Sequence, residues 1–176
     1  MTLTIVPAIR PGVEVIAAPP SSPPFVPEAL VAEEDTFLVL GADPEIREPE
    51  LPRLRAIHEA FTAQPAEPGS VVVREGHPTR LLAVVHDLSV APTWREEWVA
   101  AALAGVLRET GARGLRTLAT PPLGRMHGSL PIETFIVLLR AALERGTPEH
   151  LQRLWLVTPE KDLAQVCALL ASGLFP

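Results

Sequence analysis

Basic residues are in short supply. Lys and Arg together number 15 against 21 Asp and Glu, a net charge of −6. Wrapping a nucleic-acid backbone takes a basic face that releases counterions, and an anionic membrane surface also attracts clustered positive charge. The balance therefore argues against broad binding of either kind, while leaving room for a local basic pocket. Cysteine is nearly absent too. Cys167 stands alone in an apolar run, which excludes a disulfide framework and a multi-cysteine metal site within the chain. No basic n-region follows Met1, and the longest apolar stretches, such as Trp98 to Leu107, fall far short of a membrane span. A soluble cytoplasmic domain is expected.

What is present is apolar content: 47% of the 176 residues, enough for a core and too much for a disordered chain. Proline is abundant, with many of the 20 before residue 70. The run Pro19-Pro20-Ser21-Ser22-Pro23-Pro24, followed by Pro27, suits neither a helix nor a central strand. Because it lies between two strand-like runs, a loop over residues 18–27 is expected in preference to a linker or a polyproline ligand.

The second half reads as repeated strand–helix units. Leu81 to His86 is a continuous apolar run suited to a strand buried on both faces. Pro92-Thr93 then opens a helix, with Thr93 and Glu96 spaced as a capping box and Trp94, Trp98, Ala102 and Val106 on one face. Leu115 to Thr120 is the next strand. A second helix near Pro131 places Ile132, Phe135, Ile136, Leu139, Ala142 and Leu143 at amphipathic spacing and ends at Gly146. Leu154 to Val157 is a third strand, and Pro159 starts a last helix. The first half adds strands at Leu3 to Val6, Val13 to Ala17, Phe37 to Leu40 and Ser70 to Arg74, and a helix from about Pro49 to Ala63. The expected fold is one domain over residues 1–176, an α/β class three-layer α/β/α sandwich with a mostly parallel central sheet.

Ligands of such sheets bind beyond the carboxyl ends of the strands. That rule selects the loops Ala18 to Pro27, Asp87 to Pro92 and Pro121 to Leu130. The third joins a buried strand directly to a helix start, where backbone N–H groups and the helix dipole suit a phosphate. Gly124, Gly128 and Ser129 would offer N–H donors, Arg125 and His127 charge-assisted bonds, and Asp87 or Ser22 a polar wall. The plainer alternative is that both glycines only shape the turn. His86 and Asp87 are adjacent on a strand and so face opposite sides, which weakens them as a catalytic pair. Nothing in the spacing of His86, Asp87 and His127 follows a metal-ligand signature, and no cofactor is expected.

These residues carry a resemblance to the macro domain, or ADP-ribose-binding, family. Pro121 to Pro131 resembles that family's second phosphate loop, P-A-L-G-T-G-x-x-G-x-P, at the same length. Pro68-Gly69-Ser70-Val71-Val72-Val73 is similar to its P-T-G-E-A-V-V segment. Ala83-Val84-Val85-His86, followed by Pro92 and Trp94, resembles its V-I-H-x-V-G-P-x-W strand and exit. The likeness covers about residues 68 to 172. In the first half the functional letters differ. Pro7-Ala8-Ile9 falls where the family has G-D-I, so the aspartate that reads adenine becomes Ala8. Val15-Ile16-Ala17-Ala18-Pro19-Pro20 falls where it has V-N-A-A-N, without the ribose-binding asparagine. The Ser-Pro stretch replaces the glycine-rich first loop, and Arg125 and Met126 replace Thr and Gly in the second. No adenine-stacking aromatic stands near Thr158-Pro159.

The resemblance implies a diverged, non-catalytic binder of a phosphate-bearing small ligand, a nucleotide or ADP-ribose relative. Two alternatives stand beside it. One is a protein-interaction module with a vestigial pocket, able to bind a protein partner or a second copy of itself. The other is an ADP-ribosyl hydrolase using atypical residues such as Asp87 or His127.

Overall fold

The computed structural model describes residues 5–10, 13–40 and 64–172. Among the described residues seven strands form one sheet: β1 (Ile5–Arg10), β2 (Val13–Ala18), β3 (Ala29–Asp35), β4 (Val71–Arg74), β5 (Thr79–His86), β6 (Thr117–Thr120) and β7 (Arg153–Val157). Their order across the sheet is β1-β2-β7-β6-β3-β5-β4. The five central strands run parallel, while β1 and β4 pair antiparallel at the edges. Ala18, Val157, Thr120, Asp35 and His86 therefore all end at one rim of the sheet.

Strands covered on both faces need unbroken apolar runs, and Leu81 to Val85 in β5 is such a run, buried throughout. Helices α1 (Glu96–Ala112), α2 (Ile132–Gly146) and α3 (Glu160–Ala171) follow β5, β6 and β7 in turn. The first packs on β5 and β4, the second against both other helices, and the third on β2 and β1. All three thus share one face of the sheet. Phe135, Ile136, Leu139 and Leu143 recur on α2 at the 3.6-residue period and are buried against that face, as their spacing predicts. On the other face Trp155, Ala18 and Ala119 form a smaller cluster with Phe25, Leu30 and Val157. The Pro/Ser-rich segment lies between β2 and β3, and the Trp155 indole N–H donates to the Ala18 carbonyl at 2.9 Å beneath it. The helix expected at 49–63 lies outside the described residues.

The α/β architecture with a mostly parallel sheet matches the expectation, and two local readings change. Phe37 to Leu40 is a turn rather than a strand, and the strand precedes it at Ala29–Asp35. The carboxyl half of β3 reads Glu33-Glu34-Asp35, which looks like solvent-facing sequence, yet all three are buried. Secondly, Thr93 does not cap α1. Trp94 instead pairs with His86 as a β-bridge, and the helix starts at Glu96 after Arg95, with no side-chain cap bond. Val15 to Ala18 lies on β2 beside β7, and β3 sits between β6 and β5.

Phe135 is wholly buried in the principal core, so Phe135→Ala is expected to cost about 3–5 kcal/mol in urea unfolding. Val137, one helical position away from that stripe, is 56% exposed. Val137→Ala should change stability by less than about 0.5 kcal/mol. Equal losses would mean that α2 docks on a different face.

Candidate functional site

The carboxyl rim of the parallel strands is built around one side chain, Glu33 of β3. Its side chain has no exposed surface, and both carboxylate oxygens are engaged. Oε2 accepts the Gly124 N–H at 2.8 Å, and Oε1 accepts the His127 N–H at 3.0 Å. His86 Nε2 lies 2.5 Å from Oε1 as well. On the far side of that imidazole, Nδ1 is 3.2 Å from the Thr93 hydroxyl. With a proton on Nε2, the chain runs from Thr93 O–H to Nδ1 and from Nε2–H to the carboxylate, leaving every group satisfied. A buried charge without such partners would be costly.

The loop that Glu33 grips runs from Pro121 to Leu130, between β6 and α2. Gly124 adopts φ +77°, a region that L side chains resist, and its carbonyl accepts the Leu130 N–H at 3.1 Å. Gly128 answers a different need. A Cβ there would lie 2.6 Å from Trp94 Cδ1, so the indole packs directly on the loop backbone. The N–H groups of Gly128 and Ser129 are not among the donors to Glu33, and Met126, His127 and Ser129 are exposed, with Gly128 half-buried between them. Arg125 reaches away to Asp162 of α3, 3.4 Å between Nη2 and Oδ2.

A second carboxylate of the same strand behaves alike. Asp35, fully buried, accepts the Phe37 N–H on Oδ1 at 2.6 Å and the Val39 and Leu40 N–H groups on Oδ2 at 3.1 and 2.9 Å. Leu38 takes φ 57° within this turn. Around both carboxylates the rim exposes the apolar side chains of Phe37, Val39, Leu88 and Met126 beside the polar Ser89, His127 and Ser129.

Of the residues singled out from sequence, Gly124, Arg125, His127, Gly128 and Ser129 are thus brought together on one loop. His86 joins them from β5, its ring edge-on to His127 at 6.2 Å between centroids. Asp87 and Ser22 are not joined to that loop by any bond among the described residues. Asp87 folds back on its own turn, accepting the Ser89 hydroxyl at 2.6 Å and the Ser89 N–H at 2.9 Å. Those bonds, the hydroxyl first, hold its carboxyl below the ordinary carboxylate range, and nearby Arg95 adds to the effect. The Ser22 N–H closes a turn onto the Pro19 carbonyl, and neighbouring Ser21 reaches Glu160 of α3 at 3.3 Å. Glu33 and Asp35 are invisible to a reading of the sequence, because an acidic triplet after a short apolar run signals surface. The one available signal is that the loop's inward N–H groups need a partner.

No protein-family model matches the sequence, and no curated protein matches it either. Solved structures do. A macrodomain of Oceanobacillus iheyensis with ADP is 15% identical with a TM-score of 0.64, over 90% of this chain and 89% of that one. The macrodomain of Thermus aquaticus DarG is 20% identical with a TM-score of 0.62, over 84% of this chain and 100% of that one. The macrodomain of Mycobacterium tuberculosis DarG is 18% identical with a TM-score of 0.58, over 81% and 99%. At such identities the likeness concerns the fold.

A carboxyl group whose folded pKa is depressed adds stability above its ordinary pKa, and that stability is lost as the pH falls through the lowered value. For Asp87 the loss is therefore confined to the acid side of the usual carboxylate range. Ser89→Ala removes the larger of the two bonds and should move the Asp87 titration upward, as read by carboxyl NMR. An unchanged titration would show that the hydroxyl is not what holds it down.

Proposed function

Starting from the macrodomain fold that these likenesses show, we propose that the chain binds a phosphate-bearing small ligand, a nucleotide or ADP-ribose relative, without catalysing its turnover. The observation that carries this reading is the Pro121–Leu130 loop. It leaves the carboxyl end of a central parallel strand, enters α2 directly, and exposes Met126 and His127 at the position where open α/β sheets take ligands. An Oceanobacillus macrodomain of the same fold has been solved with ADP, and a point mutant of it with ADPR. In this chain the outer N–H groups of Gly128 and Ser129 receive the phosphate, and Arg125 supplies positive charge from the α3 side.

The absence of turnover follows from the candidate bases. Proton abstraction works best with a group whose pKa lies near the working pH. Asp87 is moved in the wrong direction for that task by Ser89. His86 is fully buried behind Glu33 and Thr93. For the His127 ring, the edge contact with His86 is the one partner among the described residues, and no carboxylate orients it.

A second reading, a docking surface with a closed pocket, draws on a specific observation. Glu33 and Asp35 already fill the inward N–H clusters, while Phe37, Val39, Leu88 and Met126 leave apolar surface at the same rim. Two like unit charges about 4 Å apart repel by about 4 kcal/mol at an effective permittivity near 20. An incoming anion must therefore sit well clear of Glu33 or be strongly compensated.

Calorimetric titration with AMP and with ADP-ribose decides between the two. The binding reading expects micromolar affinity for at least one of them, about 2.7 kcal/mol of added stability at a hundredfold excess over Kd, and roughly tenfold weaker binding of that ligand in Arg125→Ala. No heat and no thermal stabilisation with either ligand at millimolar concentration would remove that reading in favour of the docking surface.

A further inference from the structure

Glu33 does something that the binding reading alone does not require. Gly124 and His127 turn their N–H groups inward, and with His86 Nε2 they make a three-donor seat of the kind that holds one oxyanion. That seat is full. Its occupant is a carboxylate of the same chain, buried at the end of β3. Two residues further on, Asp35 fills the neighbouring cluster formed by the N–H groups of Phe37, Val39 and Leu40. Adjacent loops at the rim thus each present backbone donors, and each set is already matched by a fixed negative charge.

We propose that Glu33 is a built-in anion that sets the ligand class of the crevice: it closes the inner seat and selects a ligand with one phosphoryl group over one with a diphosphate. This rests on the binding reading above. A single phosphate needs only the outer donors of Gly128 and Ser129 with Arg125. A diphosphate must place its second phosphoryl group towards donors that are taken, next to Glu33 or Asp35, and every added negative charge meets the same carboxylates. Glu33 is a specificity-determining residue in this scheme and takes part in no bond-making.

The full chain and its Glu33→Gln and Glu33→Ala variants are titrated with AMP, ADP and inorganic pyrophosphate. The wild type is expected to bind AMP more tightly than ADP, by about tenfold, and pyrophosphate least of all. Both variants should reverse the order of AMP and ADP. Since removing a buried carboxylate also strips three donors of their partner, Glu33→Ala is melted with formate and with phosphate, against sodium chloride of equal ionic strength. Formate should restore part of the lost melting temperature in the variant and leave the wild type unmoved, and phosphate should raise the variant by more than it raises the wild type. ADP binding the wild type more tightly than AMP would overturn the selection, with the binding reading intact. Rescue no better than chloride would overturn the filled seat itself. No nucleotide binding by the wild type, together with formate rescue and pyrophosphate binding in Glu33→Ala, would uphold the filled seat and remove the nucleotide reading instead.

Discussion

One buried carboxylate holds the carboxyl rim of the sheet together. Glu33 joins β3 to the β6–α2 loop through two backbone N–H groups and to β5 through His86, so three neighbouring strands meet at a single side chain. Bonds from ionised acceptors to buried donors are each worth about 1.5–3 kcal/mol, and the penalty for orphaning them is of similar size. The arrangement is therefore close to all-or-none. With Glu33 in place, Gly124 can hold its left-handed conformation and the loop can lie flat under Trp94. His86, which would be a poor choice for a core position on its own, becomes the bridge that links the carboxylate to Thr93.

Legibility of the sequence follows the chemistry of each segment. Leu81 to Val85 and the α2 stripe are apolar in patterns with one structural solution, and they fold as those patterns predict. The β3 strand does not, because its buried carboxyl end consists of Glu, Glu and Asp. Burial there is sustained by partners remote in sequence, Glu33 with Gly124 being 91 residues apart, and no local pattern encodes them. The departure at Phe37 to Leu40 has the same root. Four apolar residues look like a strand, but Asp35 collects three of the turn's N–H groups and bends the chain instead. Thr93 has the spacing of a helix cap with Glu96, whereas its hydroxyl is engaged by His86.

The candidate site is legible in its position and less so in its character. Glycines at a strand-to-helix junction locate the loop, since Gly124 and Gly128 are needed by backbone geometry and by the indole above them. Whether such a loop is open to an anion is a different question, decided by what lies behind its N–H groups. That information resides in β3. A fold shared at 20% identity or less with macrodomain structures keeps the sheet and the helices; it leaves the charge behind the loop free to vary.

The contact between Trp94 and Gly128 has an optical consequence. Of the chain's three tryptophans, Trp98 stacks under the Arg95 guanidinium at 5.0 Å and Trp155 is committed to the far face of the sheet through Ala18. Among the described contacts, only Trp94 touches the glycine loop. Its emission is thus a resident gauge of that loop, sensitive to any rearrangement of the backbone on which the indole rests, and readable without attaching a dye.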